Sequence, residues 1–238
     1  MKIKIIKETD NYLVINKPAG MKVHADNLSR GNDTLVDWLL GKYKEIKDIR
    51  DIQDIKGSEI RPGIVHRLDK DVSGVMVIPR TQEMYEHLKK QFQERKIKKE
   101  YLALVHKKMR QDEGEVKIPI GRSKSGKLVA QSEKINEGRS AMTKYEVIKK
   151  YINYTLLKVE ILTGRTHQIR VHLSSIGHPI AGDKLYETHD IRVKKKGIDL
   201  GRLWLYSAKL GFKDLNGEWV EYQVAMPEEL KIFLDKIK

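Results

Sequence analysis

The chain predicts an α+β fold built on a large, mixed or mostly antiparallel sheet with flanking helices. Three observations carry this reading. Strand-type apolar runs recur at short intervals, helical patterns between them are few, and the chain closes on two strand patterns joined by the turn pair Asn216-Gly217. With 238 residues, 39% of them hydrophobic, there is material for one large core. No linker or low-complexity tract interrupts the pattern, so one domain over residues 1–238 is expected.

Taken in order, residues 1–7 alternate Lys and apolar residues and read as a strand. Residues 12–15, 75–78 and 101–105 are apolar enough for strands buried on both faces. Thr155, Leu157, Val159 and Ile161 alternate with polar neighbours, as in a half-buried strand. Residues 204–212 and 219–226 form the closing pair. The first helix places Leu35, Trp38 and Leu39 on one face, with Gly41 as its expected stop. Thr81 is the expected cap of a second, in which Met84, Leu88 and Phe92 recur every fourth residue. Thr166 is the expected cap of a third, with Ile169, Leu173 and Ile176 inward and Gly177 as the stop. Pro227 suits the first turn of a last helix facing Leu230, Phe233, Leu234 and Ile237 inward. Ile46, Ile49, Ile52 and Ile55 recur every third residue, as a short surface helix or an extended excursion.

The chain holds 47 Lys and Arg against 33 Asp and Glu, a net charge of +14. A surplus of this size attracts phosphate backbones. An anionic membrane is the weaker partner, because the charge is spread along the chain rather than placed on one amphipathic helix. Cysteine is absent, which excludes disulfides and thiolate chemistry and fits a cytoplasmic protein. No apolar stretch is long enough to cross a bilayer, and residues 1–7 are too short and interrupted for a signal peptide.

Against this basic background, Asp69 in His66-Arg67-Leu68-Asp69-Lys70-Asp71-Val72-Ser73-Gly74-Val75-Met76-Val77 is an acid beside Arg67, just ahead of a buried strand. A solvated loop of mixed charge is the bland alternative. It loses ground to a second unusual segment, Gly164-Arg165-Thr166-His167-Gln168-Ile169-Arg170. There Arg165 precedes a helix whose polar face is expected to offer Gln168 and Arg170. A guanidinium at this place can pair with a carboxylate through two parallel hydrogen bonds and keep it ionised where burial alone would protonate it. An ionised Asp in a dry pocket is a nucleophile or a base. Tyr101 follows the basic stretch Arg95-Lys96-Ile97-Lys98-Lys99 and suits stacking on a nucleobase; taken without the other motifs, a strand-end Tyr filling the core is the favoured alternative. His66, His167, His172 and His178 lack metal-ligand spacing, so no metal is expected.

His66 to Val77 and Leu162-Thr163-Gly164-Arg165-Thr166-His167-Gln168-Ile169-Arg170 resemble the signature motifs of the RluA-type pseudouridine synthases. Asn16-Lys17-Pro18-Ala19-Gly20, Lys99-Glu100-Tyr101-Leu102-Ala103-Leu104-Val105 and Gly177-His178-Pro179-Ile180-Ala181-Gly182-Asp183-Lys184-Leu185-Tyr186 resemble three more, in family order. The resemblance implies a pseudouridine synthase fold with a central RNA-binding cleft. It implies isomerisation of uridine in ribosomal or transfer RNA by base flipping, with no cofactor. On it, Asp69 is the catalytic aspartate, Arg165 its partner, and Tyr101 stacks on the base. Leu162 contacts the ring, and Arg67 fills the gap left by the flipped base, with His66 and Arg170 also toward RNA.

The chain departs from the family at Val72, where Thr is more common, and at Trp204 and Tyr206, where Leu and His are common. It is expected to be the form without an N-terminal RNA-binding domain, and a monomer. Residues 190–197 read as a variable basic loop or a solvated charge run. Two other functions compete. One is a catalytically silent RNA-binding protein on the same fold. The other is a hydrolase with an Asp nucleophile, which would need a second acid or base, and Asp71 is the only close candidate.

Overall fold

A computed structural model describes residues 2–25, 33–51, 61–123, 125–130, 138–193 and 200–237. The strands of the first part are β1 (Lys4–Glu8), β2 (Tyr12–Lys17) and β3 (Ser73–Pro79), with helices α1 (Leu35–Lys42) and α2 (Gln82–Gln93). Then come β4 (Lys98–His106), β5 (Glu113–Val116), β6 (Ile120–Arg122), β7 (Leu128–Ala130), β8 (Thr143–Lys150) and β9 (Tyr154–Ile161). Helices α3 (Gln168–Ser175) and α4 (His189–Val193), strands β10 (Leu205–Lys213) and β11 (Trp219–Gln223), and α5 (Glu228–Lys236) complete the described chain. The fold is α+β, as expected.

Two compact units emerge. The first comprises Met1–Lys98 with Lys209–Val224, the second Lys99–Ala208 with Ala225–Lys238. In the first unit, β2 lies between β1 and β3, antiparallel to both. Every residue of β3 is buried, which accounts for its unbroken apolar run. Its core joins Tyr12 and Val14 of β2, Val75 and Val77 of β3, Met84 and Leu88 of α2, and Leu210 and Phe212 of β10. Helix α2 starts where expected, because the Thr81 hydroxyl accepts from Met84 N at 3.2 Å. The β10–β11 hairpin pairs Lys213 with Trp219, and Gly217 takes the left-handed φ of 82° its turn requires.

In the second unit the order is β4-β9-β8-β5, all antiparallel, with β6 and β7 forming a separate ribbon. Tyr101 on β4 faces Val159 on β9. Trp204 is fully buried and donates from Nε1 to Leu230 O at 3.2 Å, which ties α5 down. Tyr206 is also buried, and its hydroxyl is pushed up to about 12 by burial and by Glu100. Trp204 and Tyr206 are therefore packing residues.

Several expectations need correction. Gly41 does not stop α1, which runs on to Lys42, with Thr34 and Asp37 forming a capping box at its start. Thr166 does not cap α3. His167 holds that position in left-handed conformation, with no capping bond from its side chain. Gln168 and Arg170 are buried rather than on a polar face, and Ile176 is only half-buried. Pro227 stands just before α5 rather than inside its first turn. Ile46 and Ile49 are buried rather than on the surface, with Ile46 in a 3-10 turn at Lys44–Asp48. Ile52 and Ile55 lie outside the described residues, as do residues 194–197 of the expected basic loop.

Candidate active site

In the first unit, Asp69 stands in the loop that leads into β3. Val72 N donates to Asp69 O at 3.1 Å, closing a tight turn, and Val72 is buried. A hydrophobic side chain thus fills this place in the turn. The turn is fastened from the side by the end of β2. Lys17 pairs in register with Gly74, and its side chain is fully buried. Its Nζ donates to Pro18 O at 2.9 Å, Met21 O at 2.8 Å and Lys70 O at 3.2 Å. Three carbonyls accept from the ammonium, which is how a buried Lys is tolerated. Gly20 N adds a second bond to Lys70 O at 2.8 Å, from a backbone with φ of 85° that favours glycine. The residue after Asp69 is therefore gripped by two donors from one neighbouring turn, and Asp69 itself is half-buried.

The flanking residues divide. His66 Nε2 accepts from Val77 N at 3.1 Å, and its ring stacks on Phe92 at 4.9 Å. His66 thus braces the loop against β3 and α2. Arg67 is exposed, and its Nη1 lies 3.0 Å from His24 Nε2. Because Arg only donates, Nε2 of His24 accepts and its Nδ1 carries the proton, donating to Ala25 O at 3.0 Å. His24, buried and unmarked by any sequence pattern, aims Arg67.

In the second unit, Tyr101 lies near the start of β4 and is 7% exposed. Leu162 follows the end of β9 and is half-buried. Because β4 and β9 are antiparallel, Tyr101 and the segment from Leu162 to Arg165 share one end of this strand pair. Lys99, two residues before Tyr101 and so on the same strand face, has its ammonium pushed down to about 8 by burial.

Arg165 is held at backbone and side chain. Its N–H donates to Gln168 Oε1 at 3.1 Å, and its Nε donates to Ser140 O at 3.1 Å. Gln168 Oε1 also accepts the Thr163 hydroxyl at 2.6 Å, while its Nε2 donates to Met142 O at 2.9 Å and Thr143 Oγ1 at 3.0 Å. His172 continues the chain from Thr143 Oγ1 to Ile118 O, at 2.9 and 2.8 Å. Since a carbonyl can only accept, Nε2 of His172 carries the proton, and burial favours this neutral ring by lowering its pKa. Arg170 is buried in a two-pronged pair with Asp183, at 2.7 and 2.9 Å. The sequence motifs include Lys17, Gln168 and Tyr186 without assigning them a site-shaping role, and His24 lies in none of them. For Lys17, a Lys closing the apolar run Leu-Val-Ile-Asn-Lys is a further signal.

Comparison with known proteins decides the family. A family model described as RNA pseudouridylate synthase matches residues 11–175, a stretch drawn from both units. The chain belongs to this family. It is 42% identical to an uncharacterized RNA pseudouridine synthase of Aquifex aeolicus (strain VF5), over 96% of this chain and 71% of that one. It is 36% identical to a protein of Nitrosomonas europaea named ribosomal large subunit pseudouridine synthase D, over 99% of this chain and 65% of that one. Among solved structures, human RNA Pseudouridylate Synthase Domain Containing 4 superposes with a TM-score of 0.76 at 25% identity, over 98% of this chain and 92% of that one. This family member is thus an RNA pseudouridine synthase with the fold the sequence led us to expect. No helix among the described residues is long and apolar enough to cross a membrane.

Proposed function

We propose that this synthase isomerises specific uridines of ribosomal or transfer RNA, with Asp69 as the catalytic aspartate and the two units serving as one catalytic domain. The observation that supports it most directly is the grip on the Asp69 turn. Lys17 and Gly20 both fasten Lys70 O, at the edge of a strand buried on both faces. A carboxylate on a turn held this firmly loses little positional freedom before it reacts. The name carried by the Nitrosomonas relative makes large-subunit ribosomal RNA the first substrate to test.

In this reading the flipped uridine loses its N1–C1′ bond, the uracil turns, and C5 joins C1′ while the C5 proton leaves and N1 gains one. Asp69 either attacks C1′ or takes the C2′ proton, and both routes need an ionised carboxyl. Arg165 is the second catalytic residue of this reading. Tyr101 stacks on the base, Leu162 packs against its ring, and Arg67 enters the emptied place in the stack. His66 and Arg170 act by holding the Asp69 loop and α3 in shape. No cofactor is required, the partner is RNA, and the setting is the cytoplasm, with the protein acting as a monomer.

Pseudouridine mapping by carbodiimide labelling and primer extension tests this. Total RNA from a strain lacking the gene is treated with the wild type or with Asp69→Ala. New stops with the wild type alone are expected, and their positions identify the target. Absence of stops with either protein, alongside measurable RNA binding, would instead support a catalytically silent RNA-binding protein.

A further inference from the structure

The four residues from Arg165 to Gln168 are anchored at both ends. Gln168 takes the N–H of Arg165 at one end, as described above. At the other, His167 adopts φ of 55°, a left-handed conformation uncommon for a residue with a Cβ. It stands at the start of α3 without the side-chain capping bond that usually occupies this place. Its ring turns instead to Tyr186, with Nδ1 2.9 Å from the hydroxyl and the rings edge to face at 5.6 Å.

Tyr186 is fixed by contacts that do not involve His167. Its N–H donates to the buried Asp183 carboxylate at 3.3 Å, and its carbonyl accepts the Ser174 hydroxyl at 2.8 Å. Two cations lie over its ring, Arg170 at 5.1 Å and Lys127 at 5.0 Å. The ring is buried, so its hydroxyl is a rigid point from which His167 can be held. A strained residue persists only where its surroundings over-determine it, and such residues cluster at functional sites.

We propose that Tyr186 is a positioning residue for Arg165: its hydroxyl holds His167 in the left-handed conformation that sets the direction in which Arg165 projects. The inference rests on the reading that Arg165 serves catalysis. It adds to that reading a group outside the Asp69, Tyr101 and Arg165 set, on a separate loop.

The test is a double-mutant cycle in single-turnover isomerisation at saturating RNA, with RNA affinity and Tm measured beside it. Tyr186→Phe keeps the ring and deletes the hydroxyl. It should lower the rate about five- to tenfold, the worth of one such hydrogen bond, with RNA affinity within about twofold of wild type. His167→Phe breaks the same bond from the other side and should reproduce the loss. Asn enters the left-handed region readily, so in a His167→Asn background Tyr186→Phe should change the rate no further. A wild-type rate for Tyr186→Phe overturns the inference, and so does an equal loss in both backgrounds. Arg165→Ala separates the two layers. If it too turns over at the wild-type rate, the catalytic reading of Arg165 fails. If Arg165→Ala is inactive while Tyr186→Phe is normal, only the positioning role fails.

Discussion

Two lysines whose ammonium groups leave bulk water are treated in opposite ways. Lys17 meets three carbonyls, so its charge is satisfied in place. Lys99 is pushed from 10.5 down to about 8 by burial, so the folded chain resists its charged form. The sign for stability follows from linkage. Below about 8 the group is protonated in both states, and the folded state bears the full cost of a desolvated cation. Between 8 and 10.5 the unfolded chain binds more protons than the folded one, so stability rises with pH and the cost is relieved. Lys99→Met should therefore raise the urea midpoint at pH 7 and raise it less at pH 10. An equal shift at both pH values would show that packing, not charge, sets the effect.

At the scale of elements, legibility tracked how local the cause was. Helix α2 could be read because Thr81 caps it and its apolar residues recur at helical spacing, both within one short segment. The start of α3 could not. The preference of Thr for capping points to Thr166, but the actual arrangement depends on Tyr186, Thr143 and Met142, which are distant in sequence. The same distance gave Gln168 an expected place on a solvent-facing side, whereas its amide is buried against Met142 and Thr143. Asp69 is a candidate on a local pattern, an acid ahead of an apolar strand. Lys17, which steadies the next residue's carbonyl, acts across the sheet. A further element of this kind is the link from α3 to α4. Ala181 N donates to Leu104 O, and Trp204 N to Ala181 O, at 2.8 and 2.9 Å. Gly182 follows with φ of 78°, and a Cβ there would meet Arg202 O at 2.0 Å. The neighbour is backbone and cannot swing away, so Gly182→Ala should cost about 3 kcal/mol or more, read from the denaturant midpoint. Asp183 is the next residue, so the variant should also weaken the hold on Arg170 and Tyr186. A midpoint within error of wild type would show that this link yields without cost.

The whole molecule poses a question of charge rather than of fold. A net charge of +14 is large for a chain of 238 residues, and it could serve solubility alone. It could equally be the means by which RNA is held while one base is extruded. The two differ in their response to salt. Each phosphate neutralised releases condensed counterions, so the slope of log affinity against log salt counts the contacts, at about 0.7 per phosphate for single strands and about 0.9 for duplex. If the cations of this synthase grip RNA through several phosphates, raising salt from about 50 to about 200 mM should weaken binding on the order of a hundredfold. Asp69→Asn should keep that slope, because one carboxylate contributes nothing to counterion release, yet it should abolish turnover. Arg67→Ala should leave the slope unchanged if its work is in the base stack, and lower it by about one contact if it sits on the backbone. A flat salt response with the wild type would assign the surplus charge to solubility. It would leave recognition to a few directed contacts around the flipped base, and the search for substrate should then turn from long structured RNA to short loops that present the uridine already unstacked.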